Sequence, residues 1–264
     1  MNLGNIGVTL NRMQPLRLSV LHVFTFGIAW ISHPFSTASQ THDVTTVNKT
    51  TYETYMVDPS RVDLYWSDPA GRPFRQLGAL HRHLGAAGRR VRFMMNAGIF
   101  EQGGIPSGLC LIEGKTLRPL NTAEGIGNFY LQPNGVFYIG DQGARVVPTA
   151  QFAEMQAPVR LAIQSGPLLV HDGAIHPKFD PQSKSRLHRN GVGVLPDGRV
   201  LFAITKFGQE RYPNLHEFAD FFRSQGCREA LFLDGDLSVM DVDPATAPAI
   251  ANRFGAIFVV SDPP

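Results

Sequence analysis

Cysteine is almost absent. Two residues in 264, Cys110 and Cys227, provide neither a disulfide framework nor a zinc cage by spacing. Each is expected as a small core residue, with pairing open only if the fold brings the two together. Charge is scarce as well: 17% of residues are charged and the net charge is +2. No basic stripe marks a nucleic-acid or membrane-surface partner, so a carbohydrate or other small ligand fits better. The nine histidines form no H-E-x-x-H array, and no cofactor is expected from any motif. A divalent cation stays open as an alternative, held by neighbouring carboxylates. Apart from an N-terminal stretch, no apolar run approaches the length needed to cross a bilayer.

That stretch, "LSVLHVFTFGIAWI", follows Arg12 and Arg17 and precedes the small residues Ser36, Thr37 and Ala38. It reads as a signal peptide or N-terminal anchor over 1–38, followed by a polar linker over 39–51 and one domain over 52–264. A periplasmic or secreted location is the matching expectation. Hydrophobic residues at 43% are enough for a sizeable core, and no internal repeat or low-complexity segment divides it.

Glycine (26) and proline (19) are spread along the chain, which predicts many short strands and turns. The expected fold is α/β (α+β), a single domain with a mixed, largely antiparallel sheet flanked by helices. Helical spacing occurs in "FRQLGALHRHLGAAG", in a short piece over 149–156, and in "YPNLHEFADFFRSQG". In the last, Asn214 and Glu217 make a capping box and Gly226 a stop. Strands are expected at "RVDLYW", "RVRFMMNAGIF", "VRLAIQ", "PLLVHDG", "EALFLD" and "FGAIFVV". Hairpins are expected around Glu113-Gly114, Asn134-Gly135, Asp141 to Gly143 and Pro196-Asp197-Gly198.

Four segments share one grammar, an apolar strand ending abruptly in small and polar residues: "FMMNAGIF", "LAIQSGPLLV", "SRLHRNGVGV" and "LFLDGDLSV". Strand ends are where side chains from distant parts of a chain converge on a cleft. Read singly, each has an ordinary alternative. Asn96 is a turn former, Ser165-Gly166-Pro167 a tight turn or bulge, Arg189 an exposed charge, and Asp234-Gly235 a turn with glycine at positive φ.

Together and in this order, Asn96-Ala97-Gly98-Ile99-Phe100, Ser165-Gly166-Pro167, Arg189-Asn190-Gly191-Val192-Gly193 and Leu233-Asp234-Gly235 resemble the motifs of the phosphodiester glycosidase family, over about Val62 to Val260. The chain departs from the characterised branch at Ala97 and Ile99, at Asn190 and Gly191, and at Asp236, where that branch carries glycine. The resemblance implies an exported hydrolase that cleaves a sugar from a sugar-phosphate diester, with envelope glycopolymers as candidate substrates. A non-catalytic glycan- or phosphate-binding module and a metal-dependent phosphodiesterase are the alternatives.

In a phosphodiester the departing phosphate monoester is already a stable anion, so a strong general acid matters less than holding the phosphate and stabilising positive charge on the sugar ring. Asp234 is the candidate nucleophile, base or electrostatic stabiliser, with Asp236 or Glu101 as second carboxylate. Arg189 is the candidate for the phosphate, since its planar fork can hold two oxygens, and Lys206 is expected to add to the anion site. Asn96, Phe100, Ser165, Gly166, Asn190, Ser238 and His188 complete the expected substrate-binding set.

Overall fold

The structure, a computed structural model, describes residues 1, 4, 40–249 and 251–263. The chain divides into Met1–Ser36 and Thr37–Pro264. The expected leader over 1–38 lies, Met1 and Gly4 apart, outside the described residues. Among the described residues no helix is long and apolar enough to cross a membrane.

The second unit opens with the hairpin β1 (Thr41–Val47) and β2 (Thr50–Val57), followed by β3 (Val62–Tyr65), α1 (Leu77–Ala86) and β4 (Arg90–Ala97). Short strands β5 (Phe100–Glu101) and β6 (Ile105–Pro106) pair with each other, and β7 (Cys110–Ile112) turns back into β8 (Lys115–Arg118). Next come β9 (Gly135–Gly140), β10 (Gly143–Pro148), the short α2 (Thr149–Ala153), β11 (Val159–Ser165), β12 (Leu168–His171) and β13 (Ala174–Ile175). The chain ends with β14 (Asn190–Val194), β15 (Val200–Thr205), α3 (Leu215–Ser224), β16 (Glu229–Asp234), β17 (Met240–Val242) and β18 (Ala256–Asp262).

These strands form a seven-stranded sheet β1-β2-β15-β14-β16-β12-β13, a five-stranded sheet β10-β9-β11-β7-β8 and a four-stranded sheet β17-β4-β18-β3, besides the β5-β6 pair. The expected sheet-dominated α+β domain with largely antiparallel strands is what the chain forms.

Alternation along the strands explains how three sheets share one core. In β16, Leu231 and Leu233 enter the central cluster while Ala230 and Phe232 meet α3. In β18, Ala256, Phe258 and Val260 point to the centre, and Ile257 and Val259 meet α1. Strands buried on both faces carry apolar residues throughout, hence the continuous runs in the sequence. Cys110 and Cys227 are free buried thiols in different clusters, both pushed up to about 12 by burial.

Most of the stretch expected as a linker over 39–51 is strand instead. Its residues 41–47 pair with β2 along their whole length through a two-residue turn, with Asn48 (φ 50) and Lys49 (φ 66) both left-handed. An exposed edge strand needs only backbone partners, so its polar sequence hides it. Asn134-Gly135 is likewise no hairpin turn; it starts β9. A Cβ at Gly135 would lie 2.6 Å from Leu168 and 2.8 Å from the Val147 carbonyl, so glycine serves close packing there.

Helix α3 is fixed at its start. Asn214 accepts from the Glu217 N–H at 2.9 Å, the Glu217 carboxylate accepts from the Asn214 N–H at 3.3 Å, and Asn214 Nδ2 donates to the Pro181 and Ser183 carbonyls. Asn214→Ala is expected to lower the unfolding free energy by about 1–2 kcal/mol. A urea-melt difference below about 0.5 kcal/mol would show that these bonds do not hold the helix in place.

Candidate functional site

Four strand ends bring Asn96, Ser165, Asn190 and Asp234 together. Asn96, near the end of β4, donates through Nδ2 to Asp234 Oδ2 at 3.0 Å, and Asp234 is the last residue of β16. Asn96 Oδ1 accepts from the Val239 N–H at 2.9 Å and from Asn190 Nδ2 at 3.2 Å. Asn190 Nδ2 also reaches the Asn96 carbonyl at 3.0 Å. Ser165, closing β11, donates through Oγ to the Leu233 carbonyl at 2.9 Å and accepts from the Ile99 N–H at 3.3 Å. The turn after β4 needs glycine: Gly98 has φ +72, and a Cβ there would lie 3.0 Å from Ile163.

The Asp234 carboxyl is pushed up to about 6, mainly by burial, against hydrogen bonds from the Gly235 N–H (2.8 Å) and Asn96; the charge of Asp236 raises it further. Gly235 itself is not left-handed, and a Cβ there would meet the His188 carbonyl at an ordinary contact distance of 3.9 Å. The expected positive-φ turn is therefore absent, and the N–H of Gly235 is what serves Asp234.

Successive side chains leave opposite faces of a strand, and the start of β14 divides the site accordingly. His188, just before β14, lines a cleft of ≈310 Å³ with Lys206, Asp236 and Ser238. His188 Nε2 donates to the Ser238 carbonyl at 3.0 Å, and Nδ1 lies 2.8 Å from Thr205 Oγ1, so a neutral ring with its proton on Nε2 meets both needs. Burial holds it below the usual histidine range, opposed by the Ser238 carbonyl and Asp236.

Arg189 faces a second cavity of ≈150 Å³ with Lys178, Ser183, Ser185 and His216. Only 1% exposed, its guanidinium donates to the Pro213 carbonyl (3.3 Å) and the Ser185 carbonyl (3.1 Å) and lies 5.7 Å from the Phe232 ring centroid. Burial lowers its pKa to about 10, Asp236 opposing. Among the described residues it has no ion-pair partner. Arg189 and Lys206 thus line separate cavities rather than one anion site.

Glu101 is exposed on the β5–β6 hairpin, and Phe100 is half-buried against the core beneath α1. A Cβ at Gly166 would lie 2.8 Å from the Phe129 carbonyl, which makes that position a packing point. Phe207 was not signalled by any motif. It is 77% exposed at the lip of the His188 cleft, and an aromatic in a glycine turn directly after a strand was the available cue. A larger groove, ≈690 Å³, lies at the other end of β14 and β16, beside Val194 and Glu229, where Arg199 pairs with Asp197 and Glu229 with His171. Among the described residues no three His, Cys, Asp or Glu side chains converge as metal ligands.

The family model for phosphodiester glycosidase matches residues 89–246, a span containing Asn96, Ser165, Arg189 and Asp234. The uncharacterised protein YigE of Escherichia coli (strain K12) is 32% identical over 201 residues, covering 75% of this chain and 77% of its own. The zebrafish N-acetylglucosamine-1-phosphodiester alpha-N-acetylglucosaminidase catalytic domain, auto-inhibited by its pro-peptide, shares the fold. Its TM-score is 0.61 at 16% identity, over 84% of this chain and 82% of that one. A hypothetical protein from Synechocystis aligns with TM-score 0.50 at 14% identity, over 84% of this chain and 61% of its own.

The folded protein holds the Asp234 proton more tightly than the unfolded chain, whose carboxyl titrates near 3.8. Its contribution to stability is therefore fully present below about pH 3.8 and is lost as pH rises through about 6, up to about 3 kcal/mol. Urea melts across that window should show wild type losing stability relative to Asp234→Asn. Parallel curves would mean that Asp234 titrates normally.

Proposed function

The chain belongs to the phosphodiester glycosidase family, and from that membership we propose that it is a hydrolase releasing a sugar from a sugar-phosphate diester. The observation that carries this reading is the meeting of Asn96, Asn190 and Asp234, from three separate motifs of the matched span, in one hydrogen-bonded cluster around a carboxyl raised to about 6.

The chemistry follows from the leaving group. A phosphate monoester departs as a stable anion, so the barrier is lowered mainly by stabilising positive charge at the anomeric carbon and by supplying an oxygen nucleophile. Ionised Asp234 does this, held in place by Asn96 Nδ2 and the Gly235 N–H. Arg189 takes the phosphate: among the described residues its buried charge has no carboxylate partner, and it borders a cavity beside the start of α3. Asp236, exposed two residues beyond Asp234, is the second carboxylate within electrostatic reach.

Export to the periplasm or beyond belongs to the same proposal and rests on the N-terminal sequence pattern. Envelope glycopolymers are the matching substrate class. Cell fractionation with sequencing of the mature N-terminus tests this part independently of activity.

With a panel of sugar-1-phosphodiesters and mass-spectrometric product analysis, Asp234→Asn is expected to lower kcat by about 10²–10⁴. Arg189→Lys is expected to act mainly on KM. The wild-type rate should rise through about pH 6, because the ionised carboxylate is the active form. Folded wild-type protein that turns over no diester would overturn the reading. Ligand binding without product would point instead to a binding module.

A further inference from the structure

The cleft on the His188 side has the composition of a ligand site. Its lip carries Phe207, two residues beyond β15 and 77% exposed. The buried imidazole of His188 meets that ring edge-on, with centroids 5.5 Å apart at 85°. Tyr212 also meets His188, at 5.9 Å and 75°, and its hydroxyl accepts from the Gly208 N–H at 2.8 Å. The turn that bears Phe207 is therefore braced, and the ring stands over the cleft from a fixed base.

The floor carries an unfinished polar group. Ser238 is 5% exposed, its Oγ is buried, and it has no hydrogen-bond partner. A buried hydroxyl left unpaired costs free energy that a ligand hydroxyl can recover. Around it the cleft presents Glu53, Asp236, Asn252 and Lys206. Two carboxylates against one ammonium make a poor receptor for a phosphate but a good one for a neutral polyol, whose hydroxyls both donate and accept.

We infer that this cleft is a pyranose subsite in which Phe207 stacks against the C–H face of the sugar ring while Ser238, Asp236 and Lys206 engage its hydroxyls. Phe207 and Ser238 would then be specificity residues. The proposal rests on the glycosidase reading for the assignment of sugar as ligand, and on the cleft itself for its place.

Ligand-observed saturation-transfer NMR on the full chain tests it, with the methyl α-pyranosides of N-acetylglucosamine, glucose and galactose as probes. At least one probe is expected to bind, with saturation strongest on the protons of one ring face. Phe207→Ala should weaken binding about ten-fold or more, Phe207→Tyr should restore it to within a few-fold, and Ser238→Ala should reduce it. The melting temperature of Phe207→Ala should match wild type, since so exposed a ring contributes little to folding.

Absence of binding by all three probes overturns the inference, as does equal binding by Phe207→Ala. Diester hydrolysis with a KM unchanged in Phe207→Ala overturns it while leaving the proposed reaction standing. Phe207-dependent binding without hydrolysis of any diester upholds the subsite and overturns the reaction.

Discussion

The carboxamide of Asn96 ties two sheets together at the point where the chemistry is placed. Its nitrogen holds Asp234 of β16, and its oxygen accepts from the Val239 N–H and from Asn190 of β14. The four-stranded sheet is thereby joined to the seven-stranded one by side-chain hydrogen bonds rather than by a shared strand. Asn96 is 1% exposed, and burying an amide is tolerable only when its donors and acceptors are matched. The same requirement fixes the amide orientation, because its oxygen must face the Val239 N–H. That leaves the nitrogen for the carboxylate, and Asp234 is positioned as a consequence of satisfying Asn96.

Holding a carboxylate there has a cost. Burial favours the protonated form, and the two hydrogen bonds from Asn96 and Gly235 offset it only in part. A group balanced near pH 6 is poorly suited to pure structure: fully paired carboxylates here, such as Asp262 with Arg92 and Arg61, are held below the usual range instead. Asp262 is in contact with two cations, while Asp234 has none within ion-pair distance among the described residues. An uncompensated carboxyl at the meeting point of three sheets is the kind of perturbation that marks functional sites.

The parts of this arrangement that depend on local sequence were legible. The capping box at Asn214 and Glu217 is a four-residue pattern, and the uninterrupted apolar run before Asp234 follows from burial on both faces of β16. What depends on partners was hidden. Strand β1 is polar and exposed, so only its pairing with β2 reveals it. Gly135 resembled a turn glycine because its true constraint, the close approach of Leu168, comes from 33 residues away in the chain. The separation of Arg189 from Lys206 follows from alternation: neighbouring His188 and Arg189 face opposite sides, and the β14–β15 register, Asn190 opposite Ile204, brings Lys206 level with His188. Phe207 carried no motif because its significance comes from a cleft assembled from β2, β15 and the loop after β16.

Asp236, the second carboxylate at the end of β16, acquires a role from the geometry of charge. It is exposed, yet its field reaches three buried groups with different needs. It raises the proton affinity of Asp234, and it opposes the desolvation that lowers those of His188 and Arg189. A negative charge in that loop therefore makes the buried guanidinium easier to keep charged and the Asp234 carboxylate harder to keep ionised. Glycine in its place would release Asp234 toward lower pH and leave Arg189 more dependent on a bound anion for its counter-charge. Asp236 couples the two sides of β14 electrostatically, although no side-chain hydrogen bond joins it to His188 or Arg189.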